Sequence, residues 1–342
     1  IIGYIGDKPA QPILLEGLKR LEYRGYDSAG LCTLLENKKI LSVRKVPGKV
    51  KDLEQLLKKK PLSGTRGIAH NRWATHGAPN QINAHPHLDC KGEIAIVHNG
   101  IIENFAELKG QLLKEGHKFK SQTDTEVIVH LIEKFYRNSS LEEATRKALS
   151  KLKGSFAIGV ISKREPDKLV GARGGSPLIV GVGENENFLA SDIPAVLDFT
   201  KEVVFLEENE MVALTKDGFK ITGLNGTPIS RKPTRINWDV SQAQKGGFPH
   251  FMLKEINEQP RVLESILSQR VQKDTKEIFF EELRIAPDVL TLINNIIIVA
   301  CGTAYHAGLC GEYILEELCQ MPVGVDLASE FRYRSPVISK NT

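Results

Sequence analysis

The sequence lacks the features that mark a membrane, a fibre or a disulfide scaffold. No run approaches the ~18 consecutive apolar residues needed to span a bilayer. Cysteine is sparse: Cys32, Cys90, Cys301, Cys310 and Cys319 are odd in number and scattered, with no CxxC pair. This usage predicts reduced thiols in a cytoplasmic protein. Neither sign of charge dominates, with 46 Lys plus Arg against 42 Asp plus Glu. So even a balance predicts no nucleic-acid partner. There is no internal repeat and no low-complexity tract, and no signal peptide is expected. An initiator Met is also missing: the chain opens Ile1-Ile2-Gly3 and stops at Thr342 without a closing element. Both edges therefore read as cut.

What is present fits a globular protein. Of 342 residues, 41% are apolar and 26% charged, and ~150 residues per domain gives two domains with room for part of a third. Strand patterns are expected at 1–5, 31–34, 67–73, 93–98, 155–161, 168–172, 178–182, 203–206 and 211–214. Helical spacing marks 50–60, 104–115, 124–136 and 141–152, and a further helix starts near Pro12. Strands cluster, with helices between the clusters, which predicts an α+β layered sandwich rather than a doubly wound sheet. Periodicity stops near Trp238, and Ser241, Gln242, Gln244, Lys245, Gly246, Gly247 and Pro249 predict a linker. The expected division is 1–237, a linker at 238–249, and 250–342. In the last part, Ile296 to Ala300, a helix from about Ala304 to Leu318 and Val323 to Leu327 predict a β-loop-α-β unit that opens a parallel sheet.

Three polar segments carry the chemistry. They are Tyr23-Arg24-Gly25-Tyr26-Asp27-Ser28-Ala29-Gly30, His70-Asn71-Arg72-Trp73-Ala74-Thr75-His76-Gly77, and His98-Asn99-Gly100-Ile101-Ile102-Glu103-Asn104. Five of nine histidines fall between 70 and 98. They sit on strand ends and loops without H-E-x-x-H spacing, so no metal is expected. Asn99-Gly100 has two readings. It is the commonest hairpin turn, or it is an oxyanion hole made by the Asn amide and the Gly N–H. Arg72 is either a surface ion-pair residue or a bidentate carboxylate clamp. Asp124, before a helix, is either an N-cap or a partner for a substrate ammonium. An Arg for a carboxylate, an Asp for an ammonium and an oxyanion hole for an amide together describe a glutamine site. Lys58-Lys59-Lys60-Pro61 reads as the basic last turn of a helix.

These segments, with Asn83-Ala84-His85-Pro86-His87 and Thr123-Asp124-Thr125-Glu126, resemble the glutamine–fructose-6-phosphate aminotransferase (glucosamine-6-phosphate synthase) family. Lys254-Glu255-Ile256-Asn257-Glu258-Gln259-Pro260, Ala300-Cys301-Gly302-Thr303 and Ala328-Ser329-Glu330-Phe331-Arg332-Tyr333 match in the same order. The resemblance implies an N-terminal-nucleophile hydrolase-type four-layer αββα glutaminase domain, followed by the start of an α/β sugar-isomerase (SIS) domain. It implies glutamine hydrolysis with transfer of ammonia to fructose 6-phosphate, giving glucosamine 6-phosphate and glutamate. No cofactor is expected; a homodimer is.

By the same resemblance, Arg72 binds the glutamine α-carboxylate and Asp124 its ammonium. Trp73, Thr75 and His76 belong to a loop that closes over glutamine, and Asn99 and Gly100 form the oxyanion hole. Arg24 supports the N-terminus, while His85 and His98 lie near the site without an assigned acid–base role. Cys301, Gly302 and Thr303 contact the sugar phosphate at a helix N-terminus, with Ala304 where the family pattern has Ser. The family nucleophile is an N-terminal cysteine whose free α-amine serves as base. A Cys-Gly pair is therefore expected just before Ile1, and a chain without it is expected to be inert. Rival readings are another amidotransferase of the same class, such as the phosphoribosylpyrophosphate amidotransferases or asparagine synthetases, and a non-catalytic binding module.

Overall fold

Ile2–Ile5 forms β1, and it is apolar on both faces because both faces are covered. Ile2 and Tyr4 point into one core, while Ile1 and Ile5 point into another. Such period-2 alternation between two buried environments is what a strand inside a layered sandwich requires. The structure is a computed structural model that describes every residue except 74–76, 238–247, 272–277 and 279–286. The described residues form two compact units, Ile1–Pro249 and His250–Thr342. Most of the expected linker lies outside the described residues.

The first unit holds two antiparallel sheets. One has the order β15 (Thr234–Arg235), β11 (Glu202–Phe205), β9 (Ile179–Val182), β10 (Asn187–Ala190), β1, β4 (Arg66–Arg72), β2 (Ser28–Leu35) and β3 (Ile40–Pro47). The other runs β14 (Pro228–Ile229), β13 (Phe219–Gly223), β12 (Glu210–Leu214), β8 (Leu169–Gly174), β7 (Gly154–Ser162), β6 (Ile94–Ile102) and β5 (His87–Leu88). Helices α1 (Ala10–Arg20) and α2 (Val50–Lys59) pack on the first sheet through Leu14, Leu18, Leu53 and Leu57. Helices α3 (Phe105–Lys114), α4 (Thr125–Phe135) and α5 (Leu141–Leu149) cover the second. Between the sheets lies a third apolar layer that includes Ile68, Val97, Ala157 and Leu189. The four layers are αββα, as the resemblance implied.

Two local features differ from a simple reading of the sequence. Asn99-Gly100 is no hairpin turn. Strand β6 runs on through it to Ile102, pairing Asn99 with Ala157 and Gly100 with Phe156. Strand β3 gave no sequence signal because its residues are mostly half-buried, with exposed ends, so its apolar positions do not alternate cleanly. Helix α4 is unusual in burial: Thr125 through Ile132, eight residues in a row, are all buried. A helix with no wet face over two turns lies in a protein interior rather than on its surface.

In the second unit, α6 (Phe251–Arg270) and α7 (Pro287–Leu290) precede β16 (Ile296–Ala300), α8 (Gly302–Cys319), β17 (Val323–Leu327) and α9 (Ala328–Tyr333). β16 and β17 pair in parallel, from Ile296 with Val323 to Ala300 with Leu327. This is the β-loop-α-β unit expected from the pattern. Gly308 of α8 sits against Ile298 and Val325, where a Cβ would approach within 3.0–3.1 Å. Among the described residues, no helix is long and apolar enough to cross a membrane.

Candidate active site

A cleft of about 350 Å³ opens where the first unit's strands end. Ile1 ahead of β1, Arg72 at the end of β4, Asn99 and Gly100 on β6, and Asp124 just before α4 all line it. Residues from the three polar segments of the sequence thus meet around one space. The first two segments touch through glycine: a Cβ on Gly25 would lie 2.8 Å from the Arg72 carbonyl carbon, and one on Gly30 1.9 Å from the His85 oxygen. Only a residue without a Cβ admits such backbone approach.

Asn99 is held by His70, whose Nε2 lies 2.7 Å from Asn99 Oδ1. An amide oxygen only accepts, so Nε2 carries the proton. Asn99 Nδ2 is left without a partner among the described residues. Gly100 follows with φ +129°, and a Cβ there would lie 2.1 Å from the Ser155 carbonyl oxygen. Both terms demand glycine at this strand position. An amide NH₂ beside a glycine backbone, both lining one cleft, is the donor pair an oxyanion requires.

Arg72 is only 4% exposed, which removes the surface ion-pair reading. Its Nη2 donates to the Gly77 carbonyl at 3.1 Å and its Nη1 to that of Ala78 at 3.4 Å. Burial pushes the guanidinium below its ordinary pKa, and Asp27 and Asp124 oppose the shift. Asp124 precedes α4 but makes no side-chain cap bond. Its Oδ2 instead accepts the Ile102 N–H at 2.8 Å, which ties the start of α4 to the end of β6. The cleft therefore holds a fixed cation and a fixed carboxylate beside the amide donors. Trp73 is 62% exposed and meets the Tyr26 ring edge-on at 5.4 Å. Thr75 and His76 lie outside the described residues.

Behind the cleft sits a row of buried imidazoles. The Thr125 hydroxyl lies 2.9 Å from both His85 Nε2 and His98 Nδ1, and its single proton can serve only one of them. The His85 ring centroid is 4.4 Å from that of His70 and 4.7 Å from that of His87. Burial holds all four histidines below their usual pKa, His87 down to about 3, so they are neutral at pH 7. At the N-terminal side, the Ile1 amine donates to Ser191 Oγ at 3.0 Å, and the Ser191 N–H donates to the Ile1 carbonyl at 3.0 Å. Arg24 Nη1 and the Tyr23 hydroxyl both donate to the neighbouring Asp192 Oδ2, at 2.9 and 2.5 Å. Arg24 thus braces the segment that holds Ile1. Sequence reasoning gave His70 no role. Its signal was the i, i+2 spacing from Arg72, which puts both side chains on one face of a strand.

In the second unit, Cys301 is the N-cap of α8 with an extended backbone and no side-chain cap bond. Gly302 follows with φ +61°. Cys301, Gly302 and Thr303 are all exposed at that helix start. Sequence placed them at a helix N-terminus, and they are there.

Residues 70–198 match the family described as a glutamine amidotransferase domain, and residues 290–342 match the SIS domain. Over its whole length the chain is 51% identical to a Clostridium tetani protein and 48% identical to a Thermus thermophilus protein. Both are named glutamine–fructose-6-phosphate aminotransferase [isomerizing]. The chain covers 56% and 55% of these two proteins, so it spans about half the length of the curated relatives it matches. Among solved structures it is similar to an allosteric regulatory enzyme of purine biosynthesis (TM-score 0.58, 27% identity, covering 65% of this chain and 48% of that one). A Bacillus subtilis glutamine phosphoribosylpyrophosphate amidotransferase shares the fold, with TM-score 0.59 and 22% identity over 95% of this chain and 65% of that one. The N-terminal-nucleophile amidotransferase fold and the SIS segment occur together in this chain. Over its whole length the chain is thus similar to glutamine–fructose-6-phosphate aminotransferases, and it carries a glutamine amidotransferase domain and a SIS segment.

Proposed function

We propose that the first unit binds L-glutamine in the cleft and releases its amide nitrogen as ammonia. The protein passes this ammonia to fructose 6-phosphate, giving glucosamine 6-phosphate and glutamate. One observation carries the reading: Arg72, Asp124 and the Asn99–Gly100 pair line a single cleft. A fixed guanidinium suits an α-carboxylate, a fixed carboxylate suits an α-ammonium, and unpartnered donors suit the oxygen of a reacting amide. Trp73, Thr75 and His76 complete the proposed set of glutamine-binding residues.

The nucleophile in this reading is a cysteine two residues ahead of Ile1 in the full protein. Ile1 lines the cleft together with Asn99 and Gly100, which supports a nucleophile close before it in the full chain. Its sulfur attacks the amide carbon, and negative charge gathers on the oxygen, where Asn99 Nδ2 and the Gly100 N–H stabilise it. The cysteine's own α-amine takes the thiol proton and hands it to the nitrogen as the C–N bond breaks, so ammonia leaves, and water then cleaves the thioester to glutamate and the free thiol. Cys301, Gly302 and Thr303 bind the phosphate of the sugar through backbone N–H groups and a hydroxyl at the start of α8. The expected setting is the cytoplasm, supported by cysteine usage, and the expected assembly is a homodimer, supported by the family resemblance.

The test is an assay of the full-length protein for glutamate and glucosamine 6-phosphate, with a variant in which the N-terminal cysteine is replaced by alanine. Both products should appear with the native protein and neither with the variant. Glutamate release that survives loss of the cysteine would sink the nucleophile assignment. Absence of glucosamine 6-phosphate from a protein that makes glutamate would sink the acceptor.

A further inference from the structure

A second polar cluster stands outside the cleft. Cys90 follows β5, His117 lies between α3 and α4, and His130 and Glu133 are three apart on α4. Their ligand atoms all lie within 4.8 Å of one another. Cys90 Sγ is 3.6 Å from His130 Nδ1 and 3.8 Å from His117 Nδ1. Glu133 Oε2 is 2.9 Å from His117 Nδ1 and 3.2 Å from His130 Nδ1. So two imidazole nitrogens face the same sulfur and the same carboxylate oxygen.

Those spacings are those of a tetrahedron around an ion. Bonds of about 2.3 Å to sulfur and about 2.0 Å to nitrogen or oxygen place S and N about 3.6 Å apart, and N and O about 3.3 Å apart. The set of one thiolate, two imidazoles and one carboxylate is borderline-soft, which selects zinc over magnesium or calcium. We propose that Cys90, His117, His130 and Glu133 form a structural zinc site.

The surroundings support this assignment. The Lys118 N–H points at Cys90 Sγ at 3.3 Å, as an outer partner to a metal-bound thiolate does. Behind His130, Glu126 Oε1 lies 3.7 Å from Nε2, on the far side from the cluster. His117 and His130 are buried, whereas Cys90 and Glu133 are partly open, which leaves an entry path. Four ligands from three segments fill the coordination sphere, the closed arrangement of structural rather than catalytic zinc. On binding, Cys90 gives up its thiol proton to water, and both histidines ligate as neutral bases through Nδ1. Spacing within 70–98 could not reveal the site, because three of its four ligands lie beyond that stretch.

The full chain, stripped with a chelator, tests this by titration with Zn²⁺ and Co²⁺ alone. One equivalent of Zn²⁺ should bind and raise the melting temperature. Co²⁺ should give a tetrahedral spectrum with a thiolate charge-transfer band. In Cys90→Ser that band should vanish. In Glu133→Gln Zn²⁺ affinity should fall by more than the about 10–100-fold that an outer partner commands. Circular dichroism checks that each variant is folded, and Glu133→Gln stands in should Cys90→Ser fail to fold. A folded native chain that binds no Zn²⁺ overturns the proposal, as does a thiolate–cobalt band that persists without Cys90.

Discussion

His70 Nε2 donates to Asn99 Oδ1 across 2.7 Å, and by doing so it sets which end of the Asn99 amide faces the cleft. Were the amide reversed, an oxygen lone pair would meet the developing negative charge. In the proposed reaction His70 is thus a positioning residue for the oxyanion donor. His70→Ala in the full-length enzyme should lower kcat for glutamine hydrolysis by up to about 100-fold while leaving KM near its native value. Combined with Asn99→Ala it should cost little more than Asn99→Ala alone, since both act through one group. A loss expressed wholly in KM, or full additivity in the double variant, would sink this account.

Asn99→Ala itself should reduce kcat by about 10²–10³-fold, the usual consequence of removing one oxyanion donor. Asn99→Asp should be at least as poor, because it offers a carboxylate where a donor is needed. Steady-state glutamate release measures both.

Arg72→Lys and Asp124→Asn separate substrate binding from backbone support. Lysine keeps the charge but loses the planar fork, and the loss of a charge-assisted pair should cost about 1.5–3 kcal/mol of glutamine affinity. Asp124→Asn retains an oxygen for the Ile102 N–H at 2.8 Å, so the junction of β6 and α4 should hold while glutamine affinity falls. Calorimetric titration alongside thermal melting reads the two effects separately. If Asp124→Asn melts early yet binds glutamine normally, its carboxylate serves the fold and not the substrate.

Gly100→Ala should be severely destabilising. A φ of +129° alone costs an L-residue about 1–3 kcal/mol. The Cβ would also lie 2.1 Å from the Ser155 carbonyl oxygen, which forces β6 away from β7. Urea denaturation should show a lower midpoint, and amide exchange should quicken at Phe156 and Ala157. A native midpoint would show that the strand relaxes at no cost.

The buried histidines predict how stability depends on pH. His70, His85, His87 and His98 have folded pKa values lowered by burial, so above the unfolded value near 6.5 they are neutral in both states. Below it the unfolded chain takes up protons that the folded chain refuses. Each histidine then removes up to about 1.4 kcal/mol of stability per pH unit, until its folded pKa is reached. Glu126 adds a loss of the same sign at lower pH. Burial would raise its pKa, but the nearby His130 ring and hydrogen bonds from Lys120 and Ser121 bring it down to about 2. Chemical denaturation between pH 7 and 5 should show stability falling with pH, and a flat profile would exclude these neutral histidines.

Much of this architecture was legible because its strands are apolar on one or both faces and its helices carry apolar stripes. Ile1 to Ile5 and Phe156 to Ile161 announce themselves, since burial on both faces leaves nothing polar to blur them. Ile296 to Ala300 shows as an unbroken apolar run although it is only half-buried here, with Val299 exposed. Strand β3, half-buried at most of its positions, does not, and neither does Asn99-Gly100, where a turn-forming dipeptide continues a strand. The residues that line the cleft could be named from segment chemistry. What held them could not: that His70 faces Asn99, or that Asp124 grips Ile102, depends on strands and loops far apart in sequence. The Cys90 cluster was illegible for the same reason, because its four ligands come from three segments that only the packing of α4 brings together.

Helix α4 has a consequence for how this sequence can change. Its first two turns have no solvent-facing position at which a substitution would be harmless, and they carry Thr125, Glu126 and His130 among the apolar residues. From Asp124 to Glu133 the helix rises only about 14 Å, so the cleft and the Cys90 cluster hang on one short rigid rod. Mutational tolerance should therefore map to this helix rather than to distance from substrate. In a saturation library selected for growth, Ile128 and Ile132, which touch neither site, should be as depleted of variants as Asn99.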